Sequence, residues 1–366
     1  MATLAAAPAF ERIPHPAPVP GATRAEAIAD PGFGKVFTDH MVTIEWDEGR
    51  GWHSARIGPR KPLSLDPASS VLHYAQEIFE GLKAYRLEDG TMALFRPEEN
   101  ARRFNASADR LAMPNLPEEA FIEAIRELVI ADRDWFPAVE GGSLYLRPFM
   151  IATEAFLGVR PAKQYKFLVI ASPSGNYFKS GAPAVSIWVS RDFTRAAPGG
   201  TGAAKCGGNY AASLLPQQRA NAQGFDQVCF LDAATLTNLE ELGGMNVFVV
   251  DDDGVVHTPA LTGTILEGVT RSSILTLLTE EGMEVRERDI PLTWLLDGVR
   301  DGSVREVFAC GTAAVITPIG RLAGESFDVT VGDGAAGPVT SRLFGRLTDI
   351  QFGRAEDPHG WMRRLV

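Results

Sequence analysis

The chain has 366 residues, 45% hydrophobic and 22% charged, which is enough for two domains of ordinary size, each with its own core. Asp and Glu number 46 against 35 Lys and Arg, and the net charge of −11 argues against a nucleic-acid binder, which needs a basic face for phosphates. Cys206, Cys229 and Cys310 are too few and too far apart for a disulfide framework or a zinc site, so a reducing, cytoplasmic setting is expected. The histidines form no H-E-x-x-H pair, so no metal is expected, and no apolar run reaches the roughly 20 residues of a membrane span.

The leader, residues 1–32, is rich in alanine and proline and reads as a flexible, loosely draped arm. A first domain is expected over residues 33–174. Its strands are predicted at His40–Trp46, Thr91–Pro97, Ser143–Met150 and Lys166–Pro173. Residues 117–136 predict a helix, with Pro117 and two glutamates at its start and a buried stripe of Phe121, Ala124, Ile125, Leu128 and Val129. The run Ser172–Pro183 has turn-forming composition and no periodicity, which places a linker at residues 175–183.

A second, larger domain is expected over residues 184–366. Strand patterns recur in "AVSIWVS", "QVCFLD" and "MNVFVVDDDGVVHTP", the last with Asp252-Asp253-Gly254 as its hairpin turn. A helix is predicted at Thr270–Gly282 and a further strand in "REVFACGTAAVITPI". Strands outnumber helices and many are joined by short turns. The expected class is therefore mixed α/β in two domains rather than one doubly wound sheet.

Between these strands lies "GGTGAAKCGGNY", Gly199–Tyr210, a single lysine set among glycines. A nucleotide P-loop needs glycine before the lysine and a hydroxyl after it, but Ala204 and Cys206 stand there. A flexible surface loop and a lysine held against a cofactor remain. A deprotonated lysine adds to carbonyls, and bare backbone beside it lets a flat ring approach. A pyridoxal phosphate enzyme also needs phosphate donors, a hydroxyl, a carboxylate for the ring nitrogen and a place for the substrate carboxylate. Candidates follow in "EGVTRSSIL", "CGTAA", Tyr210 and the glutamates of "NLEELGGMN". Each alone is more often a plain turn or a solvated surface. Together they favour the cofactor.

The chain resembles the branched-chain amino acid aminotransferases, members of the fold-type IV pyridoxal phosphate enzymes. The resemblance runs from about Phe33 to the C-terminus through "FTDHM", "LHYAQEIFEGLKAY", "SLYLRPFM", "KCGGNYAASL", "EELGGMN", "GVTR" and "GTAA". It implies two mixed α/β domains with pyridoxal 5'-phosphate at their interface, and a homodimer. It also implies that Lys205 carries the cofactor and shuttles the proton, and that Tyr210 bonds the ring oxygen. Glu241 would face the ring nitrogen, a choice over Glu240 that spacing alone does not make. Arg103, Val269, Thr270 and Thr312 would hold the phosphate, with backbone of Thr312 and Ala313 facing the substrate carboxylate.

The same resemblance makes Phe33, Tyr74, Phe79, Tyr145 and Arg147 walls of the side-chain pocket, covered by Tyr177. For aromatic residues core packing is the commoner role, and only the resemblance sets these apart. Arg147 calls for an anionic partner on its own account, since it interrupts an apolar strand. Some members carry Cys-x-x-Cys after the "GTA" turn; here Ala314 and Thr317 stand there, so that thiol switch is not expected. The implied reaction exchanges an amino group between leucine, isoleucine or valine and 2-oxoglutarate, giving branched 2-oxo acids and glutamate. D-amino acid aminotransferases and aminodeoxychorismate lyases share the fold type and are the alternatives. A non-catalytic pyridoxal phosphate carrier or a cofactor-free lysine aldolase would also use such a lysine.

Overall fold

The computed structural model of the chain describes residues 9–175 and 184–365. In chain order it gives β1 (Glu11–Arg12), α1 (Gly21–Ala29), β2 (His40–Asp47), β3 (Gly51–Pro59), α2 (Val71–Tyr74), β4 (Glu77–Phe79), β5 (Leu82–Arg86) and β6 (Met92–Phe95). Next come α3 (Pro97–Arg110), α4 (Glu118–Ala131), β7 (Ser143–Ala152), β8 (Gln164–Ser174), β9 (Val185–Ser190), α5 (Gly207–Ala222) and β10 (Gln227–Leu231). Then follow β11 (Leu239–Leu242), β12 (Asn246–Asp251), β13 (Val256–Thr258), α6 (Val269–Glu280), β14 (Val285–Glu287) and α7 (Leu292–Asp301). The chain ends in β15 (Val304–Gly311), β16 (Val315–Gly324), β17 (Phe327–Thr330), α8 (Pro338–Gln351) and β18 (Met362–Arg364).

These elements form two units. The first holds the described residues as far as 175, the segment Ala204–Gly207 and the residues from Ile350 on. The second holds residues 184–203 and Gly208–Asp349. Each is built on its own sheet, in the order β1-β3-β2-β8-β7-β5-β6-β18 with β4 on β7, and β11-β10-β9-β16-β15-β12-β13-β14 with β17 on β16. The class is mixed α/β, as expected. Of the expected linker only Gly175 is described, and Tyr177 lies outside the described residues.

In the first unit β7 alternates from Leu144 to Met150. Leu144, Leu146 and Met150 are fully buried, while Tyr145, Arg147 and Phe149 are only partly covered. The buried set packs with Phe104 of α3 and Phe121, Ala124, Ile125 and Leu128 of α4, each 0–1% exposed. Each such Phe or Leu contributes about 1.5–3 kcal/mol of hydrophobic burial. The opposite side chains of β7 are left to do something else.

Two parts of the expected organisation differ. The leader was expected as a loose arm, but from residue 9 on it lies on the first unit. Glu11 and Arg12 pair with β3, and Phe10, Val19, Ala27 and Ile28 pack on its core. Those apolar residues follow no regular period, so only the surface that receives them reveals their use. The C-terminal residues were expected with the second domain. Instead β18 pairs with β6 on the first sheet, satisfying an edge that would otherwise be open.

Candidate active site

In the first unit the site grows from the uncovered face of β7. Tyr145 and Arg147 stand two residues apart on it, and Phe79 of β4 pairs with Phe149 beside them. Arg147 Nη2 donates to Tyr145 Oη at 3.1 Å, and its guanidinium lies 4.8 Å from the centre of the Phe79 ring. Phe33 meets Tyr145 edge to face at 4.8 Å. Gly81 is required here, because a Cβ at that position would collide with the Tyr145 hydroxyl. Arg147 Nε is buried and has no hydrogen-bond partner, a donor left available beside Tyr145 and Phe79.

Lys205 joins the same cluster, its Nζ 5.0 Å from the centre of the Phe79 ring. Its backbone is held at both ends of the residue. Lys205 N–H donates to Ser107 Oγ at 2.9 Å, and its carbonyl accepts from Phe79 N–H at 3.0 Å. Ser107 lies one turn beyond Arg103 on α3 and donates its own hydroxyl to the Arg103 carbonyl at 3.0 Å. A second lysine, Lys83, pairs with Tyr145 across β5 and β7, and burial brings its ammonium down to about 8.

Arg103 is buried on α3 and forks onto Glu80, with Nε to Oε1 and Nη2 to Oε2 both 2.8 Å. Asn100 Nδ2 adds a bond to Glu80 at 2.8 Å and Gly81 N–H another at 3.2 Å. Burial alone would raise the Glu80 carboxyl. The Arg103 guanidinium and its hydrogen bonds, with the Lys205 charge and Asn100, hold it below the ordinary range instead. Tyr74 stands apart from this cluster. It is 40% exposed at the end of α2 and donates its hydroxyl to the Leu157 carbonyl.

In the second unit the motifs meet around one turn, Gly243–Met245. Glu241, on the strand that enters it, is 2% exposed. Its Oε1 accepts from Arg195 Nη1 at 2.8 Å and from Leu266 N–H at 3.0 Å. Asn246, on the strand that leaves, bonds the Leu266 carbonyl at 3.1 Å, lies against Gly268 at the start of α6 and pairs with Cys310 of β15. Gly244 faces the ring of Tyr210, and Gly311 faces Met245. Thus Tyr210, Glu241, Gly268 just before α6 and Gly311 just before Thr312 all lie beside one short segment.

The first turn of α6, at Val269 and Thr270, has no side-chain cap, so its N–H groups and dipole are available to an anion. Glu240, on the other side of β11, takes a hydrogen bond from the Thr264 hydroxyl on Oε1, while Oε2 is buried without a partner. Burial raises its carboxyl above the ordinary range, Thr264 notwithstanding. The two neighbouring glutamates therefore differ: Glu241 is held by a cation and Glu240 is not. A buried carboxylate fixed by arginine, a phenol and an uncapped helix start fit the ring nitrogen, ring oxygen and phosphate of pyridoxal 5'-phosphate.

Ser107, Glu80 and Arg195 were not singled out from the sequence. Each acts through a partner distant in the chain, so no local pattern marks it. Among the described residues no group of three or more His, Cys, Asp and Glu could hold a metal ion, and no helix is long and apolar enough to cross a membrane.

A two-sheet α/β fold, with a lysine amine over an aromatic ring and an arginine-held carboxylate near a helix start, defines a lysine-dependent group-transfer enzyme. The chain belongs to the amino-transferase class IV family, whose model matches residues 77–322. It is 57% identical to a probable branched-chain-amino-acid aminotransferase of Streptomyces coelicolor, over 98% of this chain and 99% of that one. A branched-chain-amino-acid aminotransferase of Mycolicibacterium smegmatis is 52% identical over 95% of this chain and 96% of its own. Among solved structures, the Escherichia coli branched-chain amino acid aminotransferase superposes with a TM-score of 0.74 at 30% identity, covering 88% of this chain and 99% of that one. The branched-chain amino acid aminotransferase of Thermobaculum terrenum, solved in its PLP form, gives 0.70 at 25% identity, over 88% of this chain and 98% of its own.

Proposed function

We propose that this chain is a branched-chain amino acid aminotransferase, moving an amino group reversibly between leucine, isoleucine or valine and 2-oxoglutarate. The observation that carries this reading is the Phe79 cluster. One aromatic ring is shared by the Lys205 amine and the Arg147 guanidinium, with Tyr145 and Phe33 continuing the wall. Such a surface offers apolar contact to a branched side chain and a charge to a second carboxylate.

Bound pyridoxal 5'-phosphate supplies the electron sink for a carbanion at the amino acid's Cα. Lys205 would carry the cofactor, and its Nζ would take the Cα proton and return it, general acid–base work by a positioned amine. Glu241, paired with Arg195, would serve the ring nitrogen of the bound cofactor, and Tyr210 its ring oxygen. Val269, Thr270 and Thr312 would serve the phosphate, a role the resemblance extends to Arg103. Backbone N–H groups of Thr312 and Ala313 would serve the substrate carboxylate. Arg147 and Tyr145 read the distal carboxylate of glutamate, while Phe33 and Phe79 face the branched side chains of the other substrates.

The protein acts as a homodimer in the cytoplasm. Leu72, Tyr74, Leu157 and Val159 are 58, 40, 63 and 87% exposed, an apolar patch that a second copy would cover, and Tyr74 would reach its pocket role only there. The three cysteines are free and buried, which supports a reducing compartment. Changing Val159 to Glu should shift sedimentation toward the monomer; an unchanged dimer removes this patch as its interface.

The purified protein should form glutamate from leucine and 2-oxoglutarate. Borohydride reduction should then label Lys205, and Lys205→Ala should lose at least about 10²–10⁴-fold in rate. A label on Lys83, the other lysine beside Tyr145, or activity confined to D-amino acids would overturn the reading.

A further inference from the structure

Glu77 heads β4, two residues before Phe79 and on the same face of the strand. Its Oε1 accepts the backbone N–H of Gly207, which lies 130 residues away in the chain. A Cβ on Gly207 would meet that same oxygen and push the carboxyl aside, breaking the contact. Phe79 N–H meanwhile donates to the Lys205 carbonyl at 3.0 Å. One three-residue strand therefore grips the chain at Lys205 with its backbone and again two residues later with a carboxyl. Burial raises the Glu77 carboxyl, opposed by the Gly207 bond and the Arg147 charge, as fits a group placed for contact rather than for solvation.

We propose that Glu77 is a positioning residue for Lys205: its carboxyl fixes the Ala204–Gly207 segment on β4 and so keeps the amine over the Phe79 ring. This rests on the reading of Lys205 as the reacting amine. The need is physical. Gly207 and Gly208 together leave the backbone just after the lysine with little conformational preference of its own. A lysine carried on such a segment transmits any backbone displacement to Nζ, and an error of about 1 Å in a reacting group can cost about 10²-fold in rate.

Three variants test it. Glu77→Leu keeps the bulk and removes the acceptor, Glu77→Gln keeps an acceptor oxygen, and Gly207→Ala blocks the contact from the other side. The first readout is hydrogen exchange at the Gly207 amide in the cofactor-free protein. Exchange at the position-207 amide should speed up by about tenfold or more in Glu77→Leu and Gly207→Ala and stay near wild type in Glu77→Gln. The second is turnover of the loaded enzyme. Here kcat should fall by about 10- to 100-fold in Glu77→Leu with KM for leucine changed less than about threefold, and Glu77→Gln should restore most of it. Unchanged Gly207 exchange in Glu77→Leu, or unchanged kcat, overturns the role while leaving Lys205 labelled as before. A borohydride label on a different lysine overturns the reading of Lys205 and this role with it.

Discussion

Arg195 and Glu241 form an ion pair of 2.8 Å with side chains only 1% and 3% exposed. Removing one partner from a buried pair leaves an uncompensated charge and costs about 3–5 kcal/mol. Arg195→Met should therefore lower the unfolding free energy of the cofactor-free protein by about that amount. Adding Glu241→Gln should recover much of the loss, because no lone charge then stays inside. Urea denaturation of the four proteins completes the cycle; strictly additive losses would mean that the two residues are not coupled.

Glu241 and Glu240 differ in environment, and the difference should appear in rate. Glu241→Gln removes the arginine-held carboxylate proposed for the ring nitrogen, and the proton-transfer step should slow by roughly 10²–10³-fold. Glu240→Gln should do far less. Stopped-flow records of the cofactor absorbance with leucine separate the two, and a larger loss in Glu240→Gln would reverse the assignment.

Glu240 should also leave a mark on stability against pH. Its carboxyl is raised in the folded protein, chiefly by burial, so the folded form binds that proton more tightly than the unfolded chain. The contribution of Glu240 is thus most favourable in acid and declines as pH rises from the ordinary glutamate value through the folded one. Glu240→Gln removes this decline. The variant should be more stable than wild type near about pH 7.5, with the gap closing toward about pH 4. A constant gap across that range would show that Glu240 does not titrate this way.

Arg147 is expected to divide the two half-reactions. With Arg147→Met, a distal carboxylate would enter the site without its cation, at a cost of about 2–5 kcal/mol, so conversion by glutamate should drop at least about 30-fold. Conversion by leucine should fall much less, because no charge is then unpaired. Single-turnover measurements with each amino acid decide it, and equal losses would make Arg147 structural.

Much of the scaffold was legible in the chain. Helix α4 forms over Glu118–Ala131 with all five expected stripe residues buried, because apolar residues at helical spacing leave one way to hide them. Strand β7 was equally clear. Helix α3 was not, and the reason is functional. Its buried face includes Asn100, Arg103 and Ser107, polar residues that serve Glu80 and Lys205, so the apolar period is broken where the site is built. Helix α5 hides behind Gly207, Gly208 and an internal Pro216 for a similar reason of composition.

The sequence by itself determined the class, many of the strands and the set of motifs, since hydrophobic period, turn chemistry and the order of short segments are local properties. Only the tertiary structure decided who holds whom. Glu77 and Gly207 are 130 residues apart, Ser107 and Lys205 98, and Glu241 and Leu266 25. A hydrogen bond or ion pair depends on distance in space, and distance along the chain carries no trace of it until strands pair and helices pack. The choice between Glu240 and Glu241 is the plainest case. The two residues are chemically identical and adjacent, and the pleat of β11 gives one the Arg195 guanidinium and the other the hydroxyl of Thr264.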